Sequence, residues 1–180
     1  MKKIFITGIS GSGKTTLAKQ LSIILNIPRF DLDDIFWLKK YSKARDDQEC
    51  EKELKKVLKE NKSWVIEGVY HWTKIAADKA DIVIWLNYSI NTATYRVIKR
   101  WLGRKLETKE SLKELYDLIK YVRAYKKIRP NRVHSTFEKH QQVIKGNEHN
   151  LVEIKNKKDL KELWLFTECS DCITHKFAIF

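Results

Sequence analysis

Gly8 to Thr15 reads G-I-S-G-S-G-K-T, a match to the pattern G-x-x-x-x-G-K-[ST]. The chemistry that this spacing serves is phosphate binding. Glycines let the backbone wrap closely enough for successive N–H groups to point at one anion, and a helix opening just after the loop adds its dipole. Gly8, Ser10, Gly11, Ser12 and Gly13 are therefore expected to cradle phosphates. Lys14 should reach the β- and γ-phosphates, Thr15 should offer its hydroxyl to Mg²⁺, and Thr16 should add a contact at the helix start. ATP and Mg²⁺ are the cofactors such a loop calls for. The loop binds a nucleotide without choosing a reaction, so other residues must do that.

Acids at the ends of apolar runs are the next candidates. Asp31, Asp33 and Asp34 follow a second short run, and Glu67 closes W-V-I-E. In a parallel sheet, ligands sit beyond the carboxyl ends of strands, where such side chains converge. A phosphoryl acceptor needs a carboxylate to orient its hydroxyl and take its proton, and Mg²⁺ needs an acid, often through water. Asp33 is expected to handle the acceptor and Glu67 the metal or its waters, with Asp34 a helix cap or turn residue. Trp37, Tyr70 and Trp72 follow the strand ends beside these acids, so Trp37 and Tyr70 are expected to touch the substrate, while Trp64 and Trp85 read as core.

Six of the eight arginines, Arg96, Arg100, Arg104, Arg123, Arg129 and Arg132, fall between residues 96 and 132. Arginine's planar fork suits phosphoryl oxygens. Arg96, Arg100 and Arg104 recur every four residues, as on one helix face at the edge of a closing lid near residues 100–110, where they would assist Lys14 and Asp33 in transfer.

These groups need a scaffold. Residues 2–7 predict a strand, and Leu17, Ala18, Leu21, Ile24 and Leu25 predict the apolar face of a helix starting near Gly13. Further strands are predicted at 29–32, 63–67, 82–86 and 151–154, with helices at 46–60, 91–102, 109–127, 131–144 and 158–166. Gly103 is expected to break the helix before it, and Leu112, Leu115, Tyr116, Ile119 and Val122 to line the inside of the next. Strands alternating with helices predict an α/β fold, a three-layer sandwich with helices on both faces of a five-stranded parallel sheet.

The motifs G-I-S-G-S-G-K-T-T-L-A, D-L-D-D-I-F-W at 31–37, W-V-I-E-G-V-Y at 64–70, R-V-I-K-R at 96–100 and Y-K-K-I-R-P at 125–130 resemble small P-loop kinases of the adenylate-kinase-like superfamily. They are most similar to the family of DNA topology modulation proteins. The resemblance spans about residues 1–165. It implies sheet order 2-3-1-4-5, an acceptor region between strands two and three (about residues 33–62), and an arginine-bearing lid after strand four. Asp33 takes the place of that family's acid after strand two. Glu67 stands where the family has Asp, and the lid lacks a G-R-x-R-P-D run.

Composition narrows the classes. The chain has 180 residues, 43% hydrophobic and 33% charged, too apolar for disorder, and no apolar run nears the ~18 residues of a membrane span. Its length suits one domain, about 1–166, plus a tail at 167–180. The asparagine after strand four opens N-Y-S-I rather than the N-K-x-D of a guanine reader. Cys50, Cys169 and Cys172 make no disulfide framework, so a cytoplasmic location is expected, and C-x-x-C-x-x-H ending at His175 lacks the fourth ligand of a zinc site. Net charge is +13, and residues 96–145 carry 15 Lys/Arg against 5 Asp/Glu. Such a block surrounds a nucleotide triphosphate or attracts a polyanion. The expected function is phosphoryl transfer from ATP to a small acceptor, a nucleoside, nucleoside monophosphate or related metabolite. The rival is a nucleic-acid-binding ATPase.

Overall fold

Residues 4–6 and 82–86 are apolar along both strand faces, a pattern satisfied only between two covering layers. They form the centre of the sheet in the computed structural model, which describes residues 2–39, 43–104, 111–127 and 136–168. The strands are β1 (Lys3–Gly8), β2 (Arg29–Asp31), β3 (Trp37–Lys39), β4 (Lys43–Ala44), β5 (Trp64–Glu67), β6 (Ile82–Leu86) and β7 (Leu151–Ile154). Five of them make one parallel sheet in the order β2-β5-β1-β6-β7, and β3 and β4 pair antiparallel apart from it. Counting only the five sheet strands, this is the expected 2-3-1-4-5; the β3–β4 hairpin is an addition to it.

The helices are α1 (Lys14–Leu25), α2 (Leu32–Phe36), α3 (Asp47–Glu60), α4 (Lys74–Asp78), α5 (Ile90–Arg104), α6 (Leu112–Arg123), α7 (Phe137–Ile144) and α8 (Lys157–Glu168). Alternate residues of β1 serve opposite cores. Ile4 and Ile6 meet Leu17, Ala18 and Leu21 of α1 and Leu163 of α8, whereas Phe5 meets Leu54 of α3, Ala76 of α4 and Val143 of α7. A third cluster joins Ile9 of the phosphate loop to Ala93 and Val97 of α5 and Val122 and Tyr125.

Some helices depart from expectation. α5 runs through Gly103 to Arg104, because a solvent-facing glycine weakens a helix by only about 1 kcal/mol and breaks it only when it turns left-handed, which Gly103 does not. α6 starts at a capping box, with Ser111 accepting from Glu114 N at 3.2 Å and Glu114 accepting from Ser111 N at 2.8 Å. Leu112 and Tyr116 on α6 are 70% and 65% exposed, and Leu118 takes an inner place instead. α7 begins after its cap Thr136, later than expected, and α4 has no counterpart in the sequence pattern. Ile24 on α1 is exposed. Cys169, Cys172 and His175 lie outside the described residues, as do Arg129 and Arg132. Among the described residues, no helix is long and apolar enough to cross a membrane.

Candidate functional site

β1 delivers the chain to Gly8 at the end of the central strand, and the loop closes with Ser12 N donating to Ile9 O at 3.0 Å. Gly11 has φ +82°, and a Cβ there would meet Ala93 O at 2.6 Å and Val97 Cγ2 at 2.8 Å. The loop is thus pressed directly onto α5, a position only glycine fills. Lys14 arches back over the loop, donating from Nζ to Ile9 O at 3.2 Å. Burial lowers its pKa, while Glu67, Asp33 and Asp31 pull it up. Thr15 and Thr16 stand exposed on the first turn of α1, Ser10 is half-buried, and the buried Ser12 hydroxyl has no protein partner among the described residues.

Glu67 ends β5 and is 2% exposed. Its Oε2 accepts from Thr15 Oγ1 at 2.8 Å and its Oε1 from Arg29 Nη1 at 2.5 Å. Burial and the Asp31 charge push its pKa up; Thr15, Lys14 and Arg29 oppose that. With its only proton given to Glu67, the Thr15 hydroxyl keeps its lone pairs for a hard cation, which is the donor type Mg²⁺ takes. Among the described residues no group of three or more Asp, Glu, His or Cys forms a metal cage. A cation at Thr15 would therefore draw its other ligands from phosphates and water.

Asp31, not Asp34, caps α2, accepting from Asp33 N at 3.0 Å. Asp34 is exposed on the helix's first turn. Asp33 is half-buried, and the Tyr70 hydroxyl donates to its Oδ1 at 2.6 Å. The Tyr70 ring is 6% exposed, stacked on Phe36 at 4.6 Å and on Trp72 at 5.1 Å. The ring expected to touch a substrate is thus packed between Phe36 and Trp72, with its hydroxyl on Asp33. Burial beside Asp33 raises the Tyr70 pKa, so its proton stays on the phenol. Trp37, half-buried at the start of β3, meets Phe36 edge-on at 4.8 Å.

The expected arginine row divides. Arg96 donates from Nη1 to Ser12 O at 2.8 Å and lies 4.1 Å over the Tyr88 ring. It braces the outer wall of the loop and lines a cleft of about 260 Å³ with Gly13, Thr16, Gln20 and Tyr88. Arg100, exposed one turn later, is close enough to Lys14 for its charge to lower the lysine's pKa. The Arg104 side chain lies outside the described residues, as does lid segment 105–110; Arg123 is exposed on α6. A wider cleft of about 530 Å³ between α7 and β7 shares no residue with the loop or the acids.

Sequence reasoning misses Arg29 and His140. Arg29 leaves one trace, a lone cation in the short run R-F-D. His140 is wholly buried, with Nδ1 2.8 Å from Thr136 O.

A family model described as an AAA domain matches residues 4–117. The chain is 37% identical over 86 residues to the uncharacterized protein YqaC of Bacillus subtilis (strain 168), a match covering 47% of this chain and 48% of that protein. It thus spans about half the length of this curated relative. Among solved structures, a gluconokinase from Sinorhizobium meliloti 1021 superposes with TM-score 0.51 at 13% identity, covering 97% of this chain and 98% of that one. An uncharacterized protein from Eubacterium ventriosum ATCC 27560 does so with TM-score 0.50 at 19% identity, over 94% and 99%. At these identities the structural likeness is one of fold, a small α/β P-loop kinase-like sandwich. The matched stretch runs from the central strand through the phosphate loop, both strand-end acids and α5, more than half of the chain, and places it in the family: this protein belongs to the AAA-domain family of P-loop proteins.

Proposed function

We propose that the protein is a Mg²⁺- and ATP-dependent kinase that transfers the γ-phosphoryl group to a hydroxyl of a small acceptor, a nucleoside, nucleoside monophosphate or related metabolite. The observation that carries this reading is Asp33: a half-buried carboxylate aligned by the Tyr70 hydroxyl at 2.6 Å, near enough to Lys14 to raise that lysine's pKa. The Asp33 carboxylate accepts the proton of the attacking hydroxyl. In this reading Lys14 and the loop N–H groups hold the phosphates, and Arg100, whose charge reaches Lys14, neutralises charge on the transferred group. Thr15, with Glu67 behind it, would hold Mg²⁺, which would supply charge screening to the phosphate oxygens. The finer resemblance to DNA topology modulation proteins rests on the D-x-x-F-W and W-V-I-E-G-x-Y blocks and agrees with this reading. A cytoplasmic setting goes with it.

The test is ADP release from ATP and Mg²⁺ against a panel of nucleosides, nucleoside monophosphates, small hydroxylated metabolites, and single- and double-stranded DNA, with Lys14→Ala as the blank. A Lys14-dependent signal with one small acceptor, and a phosphorylated product, is the expected result. Asp33→Asn should lower transfer at least ~100-fold while ATP affinity stays within about twofold.

One observation favours the rival ATPase: Tyr95 and Tyr116 are exposed on α5 and α6, among Lys99, Arg100, Lys113 and Lys120. That reading predicts hydrolysis stimulated by DNA alone, binding that weakens steeply with salt, and no phosphorylated small product.

A further inference from the structure

Each oxygen of the Glu67 carboxylate has its own donor: Thr15 from the phosphate-loop helix on Oε2, and Arg29 from the neighbouring strand on Oε1. Arg29 opens β2, the strand at the sheet's edge, where it pairs in register with Val65, while Asp31 pairs with Glu67. Residues two apart on a strand share a face. Arg29, Asp31 and Glu67 therefore all project to the side that α1 covers. The same Arg29 nitrogen lies 3.9 Å from Asp31, so one guanidinium stands between two acids that would otherwise repel each other below the loop.

A glutamate has one more rotatable bond than an aspartate, and each carries its carboxylate at the tip. In a buried setting its two oxygens can face the loop in more than one way unless something holds the far one. A guanidinium can hold it, because it stays charged and its planar fork limits the angles at which a carboxylate can sit.

We propose that Arg29 is a positioning residue for the metal-binding end of the phosphate loop: by holding Oε1 of Glu67 it keeps Oε2 on the Thr15 proton, so that the Thr15 lone pairs face the cation that accompanies the nucleotide. The inference rests on the nucleotide-binding reading above and adds to it a residue well outside the loop motif. Arg29 touches neither nucleotide nor acceptor. Its effect should appear in the gain in nucleotide affinity that Mg²⁺ confers, and not in affinity for the metal-free nucleotide.

The experiment is calorimetric titration of ATP into the full chain, with Mg²⁺ and with EDTA, so the readout is binding and not turnover. Arg29→Met is expected to cut the Mg²⁺-dependent gain about tenfold and to leave affinity in EDTA within twofold. Arg29→Lys, which keeps the charge but not the planar fork, should recover only part of that gain. Glu67→Gln should lose the gain to the same extent, and the double variant Arg29→Met/Glu67→Gln should lose no more, since both act through one carboxylate. The double variant removes both members of the closest ion pair together, so it reports even if Arg29→Met alone does not fold. An undiminished gain in Arg29→Met overturns the assignment, as does a further tenfold loss between Glu67→Gln and the double variant. A wild-type chain that binds ATP in neither condition overturns the nucleotide reading itself and the Arg29 role with it.

Discussion

A buried hydroxyl can fix the aim of a half-buried carboxylate, and Tyr70 and Asp33 form such a pair. Tyr70→Phe keeps the ring between Phe36 and Trp72 and removes one oxygen. Stability should shift by no more than about 1 kcal/mol, while kcat with the acceptor falls about tenfold, because a carboxylate that is no longer aimed meets the hydroxyl less often in a reactive pose. Steady-state kinetics beside thermal melts decide it: unchanged kcat would separate Tyr70 from the chemistry. Gly11→Ala tests the loop. With φ at +82° and Ala93 O 2.6 Å from the new methyl, it should cost about 2 kcal/mol or more and abolish detectable ATP binding, read by urea unfolding and titration. Lys14, Thr15 and Glu67 are legible in the sequence because a phosphate loop imposes its own spacing and a strand imposes its own ending. The partners of those residues are not. Arg29 reaches Glu67 across 38 positions and Tyr70 reaches Asp33 across 37, and pairs at that range leave no periodic trace in one chain.

At the scale of elements, local chemistry decides where helices begin and tertiary packing decides which side they bury. Asp46 caps α3, accepting from Gln48 N at 2.6 Å and Glu49 N at 3.4 Å, with its charge at the helix's positive end. Asp46→Ala should therefore cost about 1 kcal/mol and lower the melting temperature by a few degrees with ATP affinity intact; a change in affinity would mean that α3 reaches the loop. Strands apolar on both faces are readable, which is why β1, β5 and β6 fall where the sequence puts them. The burial face of α6 is only half readable. Leu115, Ile119 and Val122 fit two overlapping apolar stripes, and contact with Ala93 and Val97 of α5 selects the one containing Leu118 over the one containing Leu112 and Tyr116. The β3–β4 hairpin is unreadable for another reason: strands of three and two residues, with Lys39 and Lys43 in register, carry no alternation for a pattern to catch.

At the scale of the whole molecule, the pH response of stability turns on a buried residue that no motif contains. His140 on α7 is 0% exposed, and its ring meets Tyr125 edge-on at 5.3 Å. The ring is near enough to Gly8, at the base of the phosphate loop, for that backbone to act on its charge, and Nε2 has no hydrogen-bond partner among the described residues. Burial, with the Lys14 charge adding to it, lowers the His140 pKa to about 4, so the ring is neutral in the folded protein at physiological pH. An unfolded histidine titrates near ~6.5. Above that value neither state binds the proton, and the folded state keeps its full advantage. As pH falls from about 6.5 towards 4, unfolding takes up a proton that the fold refuses, and stability drops. Below about 4 both states are protonated and the loss levels off, at about 3 kcal/mol in all. His140→Gln removes the titration while leaving a polar side chain beside Thr136. The difference in unfolding free energy between wild type and this variant, measured in urea at pH 7.5 and again at pH 4.5, should shift by about 2 to 3 kcal/mol in favour of the variant at the lower pH, close to the full linkage. Taking the difference cancels the carboxylates, which titrate alike in both proteins. A pH-independent difference would remove His140 from the acid response, since Asp31 and Glu67, whose pKa values the fold raises, favour the folded state as pH falls, and would leave α7 a packing element with no electrostatic hold on the loop it supports.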